Sequence, residues 1–219
     1  MNLFVTGTDT GIGKTLASCA LLHAYAGKGL RVVGMKPVAA GINADGVNED
    51  VVQLRAASSV DAPYDLMNPC FLRAPLAPHI AAQREAATIS MASIVAAYEA
   101  LCVQAECVIV EGVGGFRVPL GERWDSADLA ARLGLPVVLV VGMRLGCINH
   151  ALLTQEAVVA RGLRLAGWIA NRIDAHMACA EENIAALAAR LNAPLLGVLP
   201  YQAAPDAAGM ARLLTLPAD

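Results

Sequence analysis

The residues best suited to chemistry come early in the chain, where an apolar run ends in a glycine-rich turn. Residues 3–15 read LFVTGTDTGIGKT and precede an Ala-rich segment of helical pattern. Glycines let backbone N–H groups approach anionic oxygens, and a following helix offers its positive N-terminal end. Lys14 would neutralise terminal phosphates, and the Thr15 hydroxyl would contact Mg²⁺. The strict pattern G-x-x-x-x-G-K-[ST] is not met, because its first position is Thr8. We interpret the stretch as a variant nucleotide-binding P-loop, with a Gly-rich turn that binds nothing as the alternative.

Two charged residues follow other apolar runs. Lys36 comes after residues 32–35 and before Pro37, and Glu111 ends the run 107–110 and opens the sequence EGVGG. Ligands of doubly wound sheets bind outside the carboxyl ends of the strands. We therefore predict that Lys36 is a second cation facing the phosphates, although an ordinary surface lysine is the alternative. Glu111 corresponds to the Walker B position, which holds Mg²⁺ directly or through water, and a capping or solvated acid is its alternative.

Three further positions stay open between a functional and a structural role. Asp50 lies in a predicted first helical turn, where an acid either holds a metal or complements the helix dipole. Asn171 ends an apolar run and either contacts a base edge or caps a turn. The helix start GCINH at residues 146–150 offers free N–H groups for a carboxylate, or is an ordinary N-terminal turn. His150 is predicted to be a packed histidine rather than a general base. Lysines, acids and a P-loop are enough for phosphoryl transfer, which depends on positioning and charge.

Apolar runs alternate with helical patterns along the whole chain. The alternation predicts an α/β fold, a doubly wound, mostly parallel sheet flanked by helices. The predicted strands are 3–6, 31–35, 107–110, 137–141, 166–170 and 195–199, and the predicted helices are 15–26, 49–57, 90–104, 126–132, 148–161 and 177–191. Residues 60–79 contain four prolines and are predicted to form a loop over one face. Residues 37–41 are predicted to be a turn.

Composition restricts the class of protein. The chain has 219 residues, 57% of them hydrophobic, which fits one domain over residues 1–219. A net charge of −3 without a basic block gives no support to nucleic-acid binding. Met1 leads directly into strand-like sequence, and the run 136–141 is too short to span a bilayer, so we expect a cytoplasmic protein without membrane contact. The six cysteines lack C-x-x-C spacing and are predicted to be reduced core or interface residues.

Several motifs together resemble the dethiobiotin synthetase family, ATP-dependent carboxylases of biotin synthesis. In the family's order, the matching stretches are VTGTDT (5–10), GKT (13–15), KPV (36–38), VEGVGG (110–115), LGCINH (145–150), AGWIAN (166–171) and PLLG (194–197). The P-loop variant alone is shared with other families, whereas the GCINH helix start and the KPV element make the resemblance specific. The resemblance implies a P-loop NTPase fold and extends to about residue 200.

The resemblance also implies a reaction and a set of residues. A homodimer would convert 7,8-diaminononanoate, CO₂ or bicarbonate and MgATP to dethiobiotin, ADP and phosphate, through a carbamate and a carbamic-phosphoric anhydride. Lys36 would be the catalytic lysine, with Lys14 beside it. The implied metal ligands are Thr15, Asp50 and Glu111. The implied ATP-binding residues are Gly11, Ile12, Gly13, Lys14, Thr15, Leu16, Asp50, Glu111, Gly112, Val113, Gly114, Asn171, Pro200 and Tyr201. The implied substrate-binding residues are Lys36 and, from the partner subunit, Cys147, Ile148 and Asn149.

The chain departs from the family at one position of the implied substrate site. Many relatives carry Ser or Thr two places after the equivalent of Val38, where this chain has Ala40. One hydrogen bond to the substrate is therefore expected to be lost or moved to backbone or water.

Two other classes of P-loop protein compete with this interpretation. Partitioning-type switch ATPases typically carry a lysine early in the loop, where this chain reads Thr8-Asp9-Thr10. They often end in a basic amphipathic helix, whereas residues 205–219 contain one arginine and two aspartates. A cobyrinate-type amide synthase needs an attached glutaminase domain, for which we expect 219 residues to leave no space. We rank both below the synthetase interpretation.

Overall fold

Six parallel strands form the centre of the fold in the computed structural model, which describes residues 1–43 and 46–218. The strands in chain order are β1 (Leu3–Gly7), β2 (Val32–Met35), β3 (Val38–Ala40), β4 (Cys70–Leu72), β5 (Cys107–Glu111), β6 (Val137–Gly142), β7 (Leu165–Asn171) and β8 (Leu195–Leu199). The main sheet has the order β2-β5-β1-β6-β7-β8, and each of its pairings is parallel. The predicted doubly wound sheet is confirmed, and the six predicted strands are present to within one residue at either end.

Helices lie between most of these strands. They are α1 (Lys14–Ala26), α2 (Glu49–Ala57), α3 (Tyr64–Met67), α4 (Pro78–Arg84), α5 (Met91–Gln104), α6 (Ser126–Leu133), α7 (Cys147–Ala160), α8 (Ala180–Ala188), α9 (Ala207–Met210) and a 3₁₀ turn at Ala211–Leu213. Five of the six predicted helices match to within one residue. The prediction of 177–191 was too long for α8. Cys179 has a φ of 55°, a left-handed conformation, so the helix begins only at Ala180.

The predicted loop at 60–79 and the predicted turn at 37–41 were wrong. Residues 60–79 contain α3 and β4 and end in the first turn of α4, while residues 38–40 form β3. Strands β3 and β4 pair in parallel as a separate two-stranded sheet. The prolines misled the prediction because two of them precede or begin a helix, where proline is well tolerated. Pro63 is the N-cap residue of α3, and Pro78 is the first residue of α4.

The sheet is buried on both faces, which explains its nearly continuous apolar strands. Alternate residues of β1 contact different cores: Phe4 belongs to one core, and Leu3 and Val5 belong to the other. Helices α1, α2 and α9 cover the Leu3 side, and α5, α6, α7 and α8 cover the Phe4 side. Trp168 of β7 is fully buried on the Phe4 side. Both faces thus hold the sheet rigid beneath its loops.

The strand order reverses at β1. From β1 the chain first builds one half of the sheet, with β5 and β2, and then the other half, with β6, β7 and β8. Ligands of such sheets bind at the carboxyl edge where the order reverses. The loop after β1 lies at that point, and the neighbouring strands end at Glu111 and Gly142. Topology therefore directs the predicted P-loop and Glu111 to the same edge.

The cysteines only partly follow the prediction of core or interface residues. All six are free; Cys19, Cys70, Cys107 and Cys147 are buried, and Cys102 is half-buried. Cys179 is exposed at the turn before α8. Across residues 1–43 and 46–218, none of the helices is both long enough and apolar enough to cross a membrane.

Helix α6 begins with a charged N-terminal cap. The Asp125 carboxylate accepts hydrogen bonds from the backbone N–H groups of Ala127 and Asp128, and the Asp128 side chain accepts one from the Asp125 N–H. Asp125 also forms ion pairs with Arg117 and Arg161. Burial raises the pKa of Asp125, but the hydrogen bonds from Arg117 and the Asp128 backbone, with the arginine charges, outweigh it and lower the pKa. Its ionised form is therefore stabilised in the folded state.

We expect Asp125→Ala to lower the free energy of unfolding by about 1–2 kcal/mol, because it removes the cap of α6. Asp125→Asn keeps a capping acceptor and loses only the charge, so it should lower the free energy of unfolding by a smaller amount. Because the folded-state pKa is depressed, the charge stabilises above the unfolded pKa and stops doing so as pH falls through the folded value. Urea unfolding should therefore show the largest difference in the free energy of unfolding between wild type and Asp125→Asn at neutral pH. This difference should shrink below about pH 4. An equal difference at neutral and acid pH would contradict this.

Candidate active site

A cleft of about 1080 Å³ opens at the carboxyl edge of the main sheet. It is bounded by the loop after β1, the segment after β5 and the segment between β4 and α4. Its lining residues are Asp9, Thr10, Gly11, Gly13, Lys14, Thr15, Lys36, Ala40, Asp50, Pro75, Leu76, Ala77, Pro78, Glu111, Val113, Gly114, Gly115, Arg117, Val118 and Pro119. Sequence patterns separated by up to about a hundred residues thus meet in one cavity.

The glycine-rich loop presents the N-terminus of α1 to this cleft. Gly13 is the N-cap residue, with a φ of 82°, and no side chain caps the helix. The first N–H groups of a helix have no intrahelical partner, so those of α1 remain available to anionic oxygens. Of the predicted loop residues, Gly11, Gly13, Lys14 and Thr15 line the cleft. Ile12 faces the core instead, and only its backbone can serve a ligand.

The side chains of Lys36, Asp50, Glu111 and Thr15 form one polar cluster. Lys36 Nζ lies 2.6 Å from Glu111 Oε1 and 2.7 Å from Asp50 Oδ2. Thr15 Oγ1 lies 2.8 Å from Asp50 Oδ1 and 2.9 Å from Glu111 Oε1. The structure therefore brings together the predicted second lysine, both predicted acids and the predicted hydroxyl.

Burial makes the charges of this cluster interact strongly. Lys36 is only 3% exposed and Glu111 only 1%. Burial lowers the pKa of Lys36, but the charges of Glu111 and Asp50, and its hydrogen bonds to them, outweigh burial and raise the pKa above the ordinary lysine value. Burial likewise raises the pKa of Asp50, but the Lys36 ammonium outweighs it, and the pKa lies below its usual range. Lys36 and Asp50 are thus held charged against each other.

Lys14 is the second buried cation of the cleft. Its Nζ donates to the carbonyl oxygen of Asp9 at 2.8 Å, which closes the loop on itself. Burial, together with the charge of Lys36, lowers the pKa of Lys14 to about 8. An anionic ligand in the cleft would supply the negative charge that this ammonium lacks.

Oxygen atoms of the cluster could hold a divalent cation. Glu111 Oε2 is buried without a hydrogen-bond partner, which leaves a carboxylate oxygen free for a ligand. Thr15 Oγ1 and the partly exposed Asp50 supply further oxygen atoms, the type that hard cations prefer. Within the part of the chain that the structure describes, no group of three or more His, Cys, Asp or Glu side chains could hold a metal. A cation here would take its remaining ligands from water or a bound phosphate.

Asn68 is a supporting residue that the sequence analysis missed. Its side-chain amide donates to the carbonyl oxygens of Lys36 at 2.6 Å and Cys70 at 3.1 Å. The Lys36 N–H donates to the carbonyl oxygen of Met67 at 2.8 Å, so the lysine backbone is fixed on both sides. The only signal was the Asn68-Pro69 dipeptide, which predicts a turn but not its partner.

The residues predicted to contact adenine lie at or just after the ends of two neighbouring strands. Asn171 ends β7 and is aligned with Leu199, the last residue of β8, after which Pro200 and Tyr201 follow. Pro200 and Tyr201 are exposed. The amide nitrogen of Asn171 donates to the carbonyl oxygen of Ile12 at 2.8 Å. Asn171 therefore contacts the glycine-rich loop directly.

The GCINH segment begins α7 outside the lining of this cleft. Cys147 is buried and its N–H donates to the carbonyl oxygen of Arg144, whereas Ile148 is half-buried and Asn149 is exposed. The helix has no side-chain cap at Gly146. The prediction that His150 is packed was wrong: it is exposed, because the first turn of α7 buries only Cys147.

Asp9 and Arg144 are also residues that the sequence analysis did not single out. The Arg144 guanidinium forms an ion pair with the Asp9 carboxylate, which connects the loop after β1 with the loop before α7. The backbone hydrogen bond from Thr10 lowers the pKa of Asp9, and Arg144 lowers it further. Nothing in the local sequence around either residue indicates this contact.

Glycines after Glu111 also border the cleft, and so does Ala40, the position at which this chain lacks the Ser or Thr of many relatives. Val113 and Gly114 line it, and Gly114 has a φ of 61°, a conformation that glycine tolerates best. Gly112 places its carbonyl oxygen 3.4 Å from Lys36 Nζ. Ala40, at the end of β3, lines the cleft without a polar side chain.

Comparison with known proteins gives close relatives over nearly the whole chain. A family model described as an AAA domain matches residues 1–208. The ATP-dependent dethiobiotin synthetase BioD of Aromatoleum aromaticum is 62% identical over 217 residues, which cover 98% of this chain and 96% of that protein. The protein of the same name from Ralstonia nicotianae is 58% identical over 207 residues, covering 93% of this chain and 90% of its own.

Solved structures confirm the predicted P-loop NTPase fold at lower identity. The MinC:MinD cell division protein complex of Aquifex aeolicus matches with a TM-score of 0.56 at 15% identity, over 92% of this chain and 82% of that one. The cell division protein FtsY of Thermotoga maritima matches with a TM-score of 0.55 at 16% identity, over 100% of this chain and 65% of that one. At these identities the likeness shows the fold alone.

We expect Gly13→Ala to abolish most nucleotide binding while leaving the protein folded. A Cβ at Gly13 would lie 2.1 Å from the amide nitrogen of Asn171, and the φ of 82° disfavours alanine. Gly134→Ala is a matched control, because its φ is 65° but a Cβ there would meet nothing within 4 Å. Calorimetry with MgATP should give at least about tenfold weaker binding for Gly13→Ala only. Equal affinities in the two variants would contradict the assignment of this loop.

Proposed function

The chain belongs to the dethiobiotin synthetase family, and we propose that the cleft described above is where it carries out the family's reaction. The protein is an ATP-dependent ligase of biotin biosynthesis that carboxylates 7,8-diaminononanoate with CO₂ and closes the ring to dethiobiotin, giving ADP and phosphate. We further propose that residues 1–219 act as a single synthetase domain, and a cytoplasmic location stays a prediction.

The observation that carries the site assignment is the position of Lys36. Its ammonium lies 2.6 Å from the buried carboxylate of Glu111 and 2.7 Å from the partly exposed carboxylate of Asp50, in a cleft that the glycine-rich loop also lines. A buried lysine whose ammonium form is favoured by neighbouring carboxylates, beside a phosphate loop, is suited to holding two anions together. In this reaction the two anions are the substrate carbamate and the γ-phosphate.

The mechanism that we propose needs no covalent bond to the protein. One amine of the substrate reacts with CO₂ to give a carbamate, whose negative charge Lys36 and Lys14 hold against the γ-phosphate. Transfer of the phosphoryl group to the carbamate gives a carbamic-phosphoric anhydride. The second amine attacks its carbonyl carbon, phosphate leaves and the cyclic urea closes. Positioning supplies much of the rate, because every step joins groups already bound side by side.

We propose Thr15, Asp50 and Glu111 as the ligands of Mg²⁺. The unpartnered Glu111 Oε2 and the hydroxyl of Thr15 fit a hard cation that prefers oxygen. When bound with ATP, Mg²⁺ neutralises charge that develops on the phosphates. Lys36 contacts both carboxylates, so these side chains must divide their oxygens between the ammonium and the cation.

We propose a homodimer in which Ile148 and Asn149, with Cys147, bind the substrate carboxylate in the partner's cleft. Two observations support this proposal. These residues do not line the cleft of their own chain, as far as the described residues extend. Leu145, directly before them, is 96% exposed, so this segment is accessible to a second copy of the chain.

The switch-ATPase alternative has less support. The likeness to the Aquifex aeolicus cell division proteins concerns the fold, at 15% identity, whereas the synthetases are 58–62% identical. A fold hosts many activities, and the site residues decide among them. For the second alternative, an amide synthase, the two curated relatives reported above are both named as dethiobiotin synthetases instead.

We expect Lys36→Gln to lower kcat by about 100-fold or more, since it removes the preorganised charge that the anions require. MgATP affinity should change far less, because the glycine-rich loop is intact. Lys28→Gln is the control, as Lys28 is exposed and lies outside the cleft lining. The measurement is ADP release with bicarbonate, with and without 7,8-diaminononanoate, alongside product mass. An unchanged kcat would remove Lys36 from the mechanism, and diamine-independent hydrolysis would restore the switch-ATPase alternative.

Mixing two inactive variants tests the proposed dimer. Lys36→Gln and Asn149→Ala each disable both sites of a homodimer, but a mixed dimer has one site with neither change. Random exchange of subunits should therefore restore about a quarter of wild-type activity if each site uses residues of both subunits. The control is a mixture of Lys36→Gln with Lys14→Ala, which both alter the cleft of their own subunit, so that no site of a mixed dimer is intact. Absence of recovery despite subunit exchange would contradict a shared site.

A further inference from the structure

Ile12 anchors the glycine-rich loop to the ends of two strands. Its side chain is 1% exposed and lies so close to the strands that a Cβ on Gly7 would be 2.8 Å from Ile12 Cδ1. A Cβ on Gly142 would be 2.6 Å from Ile12 Cγ2. Gly7 ends β1 and Gly142 ends β6, so the loop is seated between these two strands.

Asn171 holds the same residue from the other side. Its amide nitrogen donates to the Ile12 carbonyl oxygen at 2.8 Å, and it lies directly against Gly13, where a Cβ would be 2.1 Å away. Asn171 is 4% exposed. The contact is therefore buried, and it holds the residue directly before Gly13, the N-cap of α1.

The backbone of Asn171 is itself fixed by strands on both sides. Its carbonyl oxygen accepts a hydrogen bond from the N–H of Met143 at 2.8 Å. It is aligned with Gly142 of β6 and with Leu199 of β8. The side chain thus extends from a rigid part of the sheet to a loop that must keep Gly13 at a φ of 82°.

We propose that Asn171 is a positioning residue for the phosphate loop: its amide holds the Ile12 carbonyl so that the N–H groups at the start of α1 point into the cleft. This inference rests on the proposed function, because it takes that loop as the triphosphate site. It gives Asn171 a role beyond the adenine contact predicted from the sequence. Loss of the amide should weaken binding of phosphate chains that carry no base.

The test measures binding of inorganic tripolyphosphate with Mg²⁺ to the full chain by titration calorimetry. Asn171→Asp replaces the donor by a carboxylate facing the Ile12 carbonyl, and Asn171→Ala deletes the donor without adding charge. We expect tripolyphosphate affinity to fall about three- to tenfold in Asn171→Ala and by more in Asn171→Asp. If Asn171→Asp fails to fold, Asn171→Ala carries the test.

A matched control separates positioning from general loss of structure. Asn183 donates to the carbonyl oxygen of Cys179 at 2.8 Å at the start of α8, an exposed contact of the same kind. Asn183→Asp should leave tripolyphosphate affinity unchanged. Partial unfolding of an Asn171 variant would lower the number of binding sites per chain, whereas mispositioning of the loop lowers the affinity of each site.

The outcomes distinguish this inference from the function on which it rests. Weaker tripolyphosphate binding by the Asn171 variants, with the control unchanged, supports it. Unchanged affinity in a folded Asn171 variant, with weaker binding of adenosine, overturns it and leaves Asn171 as a base contact. Failure of the wild-type protein to bind tripolyphosphate overturns the proposed phosphate site, and the inference with it.

Discussion

The ion pairs of the buried Lys36 with the buried Glu111 and the partly exposed Asp50 are the interaction on which the rest of the site depends. An ammonium that is 3% exposed is stable only if opposite charges accompany it into the interior. Removal of one partner of a buried pair typically costs about 3–5 kcal/mol, because the remaining charge is left uncompensated. The cluster therefore fixes the ends of β2 and β5 and the start of α2 relative to one another. The same confinement keeps the lysine charged and directed at the cleft.

The backbone of the phosphate loop depends on a second constraint, which is close packing around residues without side chains. Ile12 fits between the strand ends only because Gly7 and Gly142 have no Cβ atoms, and Asn171 approaches Ile12 only because Gly13 has none. Close packing of this kind leaves the loop few voids into which it could move. The loop can therefore present its N–H groups to a ligand without first having to become ordered, which reduces the entropy that binding costs.

Most of the fold could be predicted because its signals are local. Apolar runs buried on both faces and their alternation with helices gave all six strands of the main sheet. Strands β3 and β4 were missed because each has three residues, too few for a period to appear, and because their pairing joins residues 32 positions apart in the chain. The start of α8 was missed because the left-handed backbone of Cys179 is not a preference of cysteine.

By itself, the sequence determined which residue types end the strands and hence where charge, hydroxyl and glycine must meet. The meeting place of these residues follows from the sequence because parallel strands place their carboxyl ends on the same edge of the sheet, whatever the details of packing. Only the tertiary structure decided what those residues contact: Asn171 with Ile12, Asn68 with Lys36 and Arg144 with Asp9. Each of these contacts joins segments far apart in the chain, and its geometry follows from how the strands, helices and glycines pack. No local pattern encodes that geometry, so the positions of the reactive groups were predictable but their supports were not.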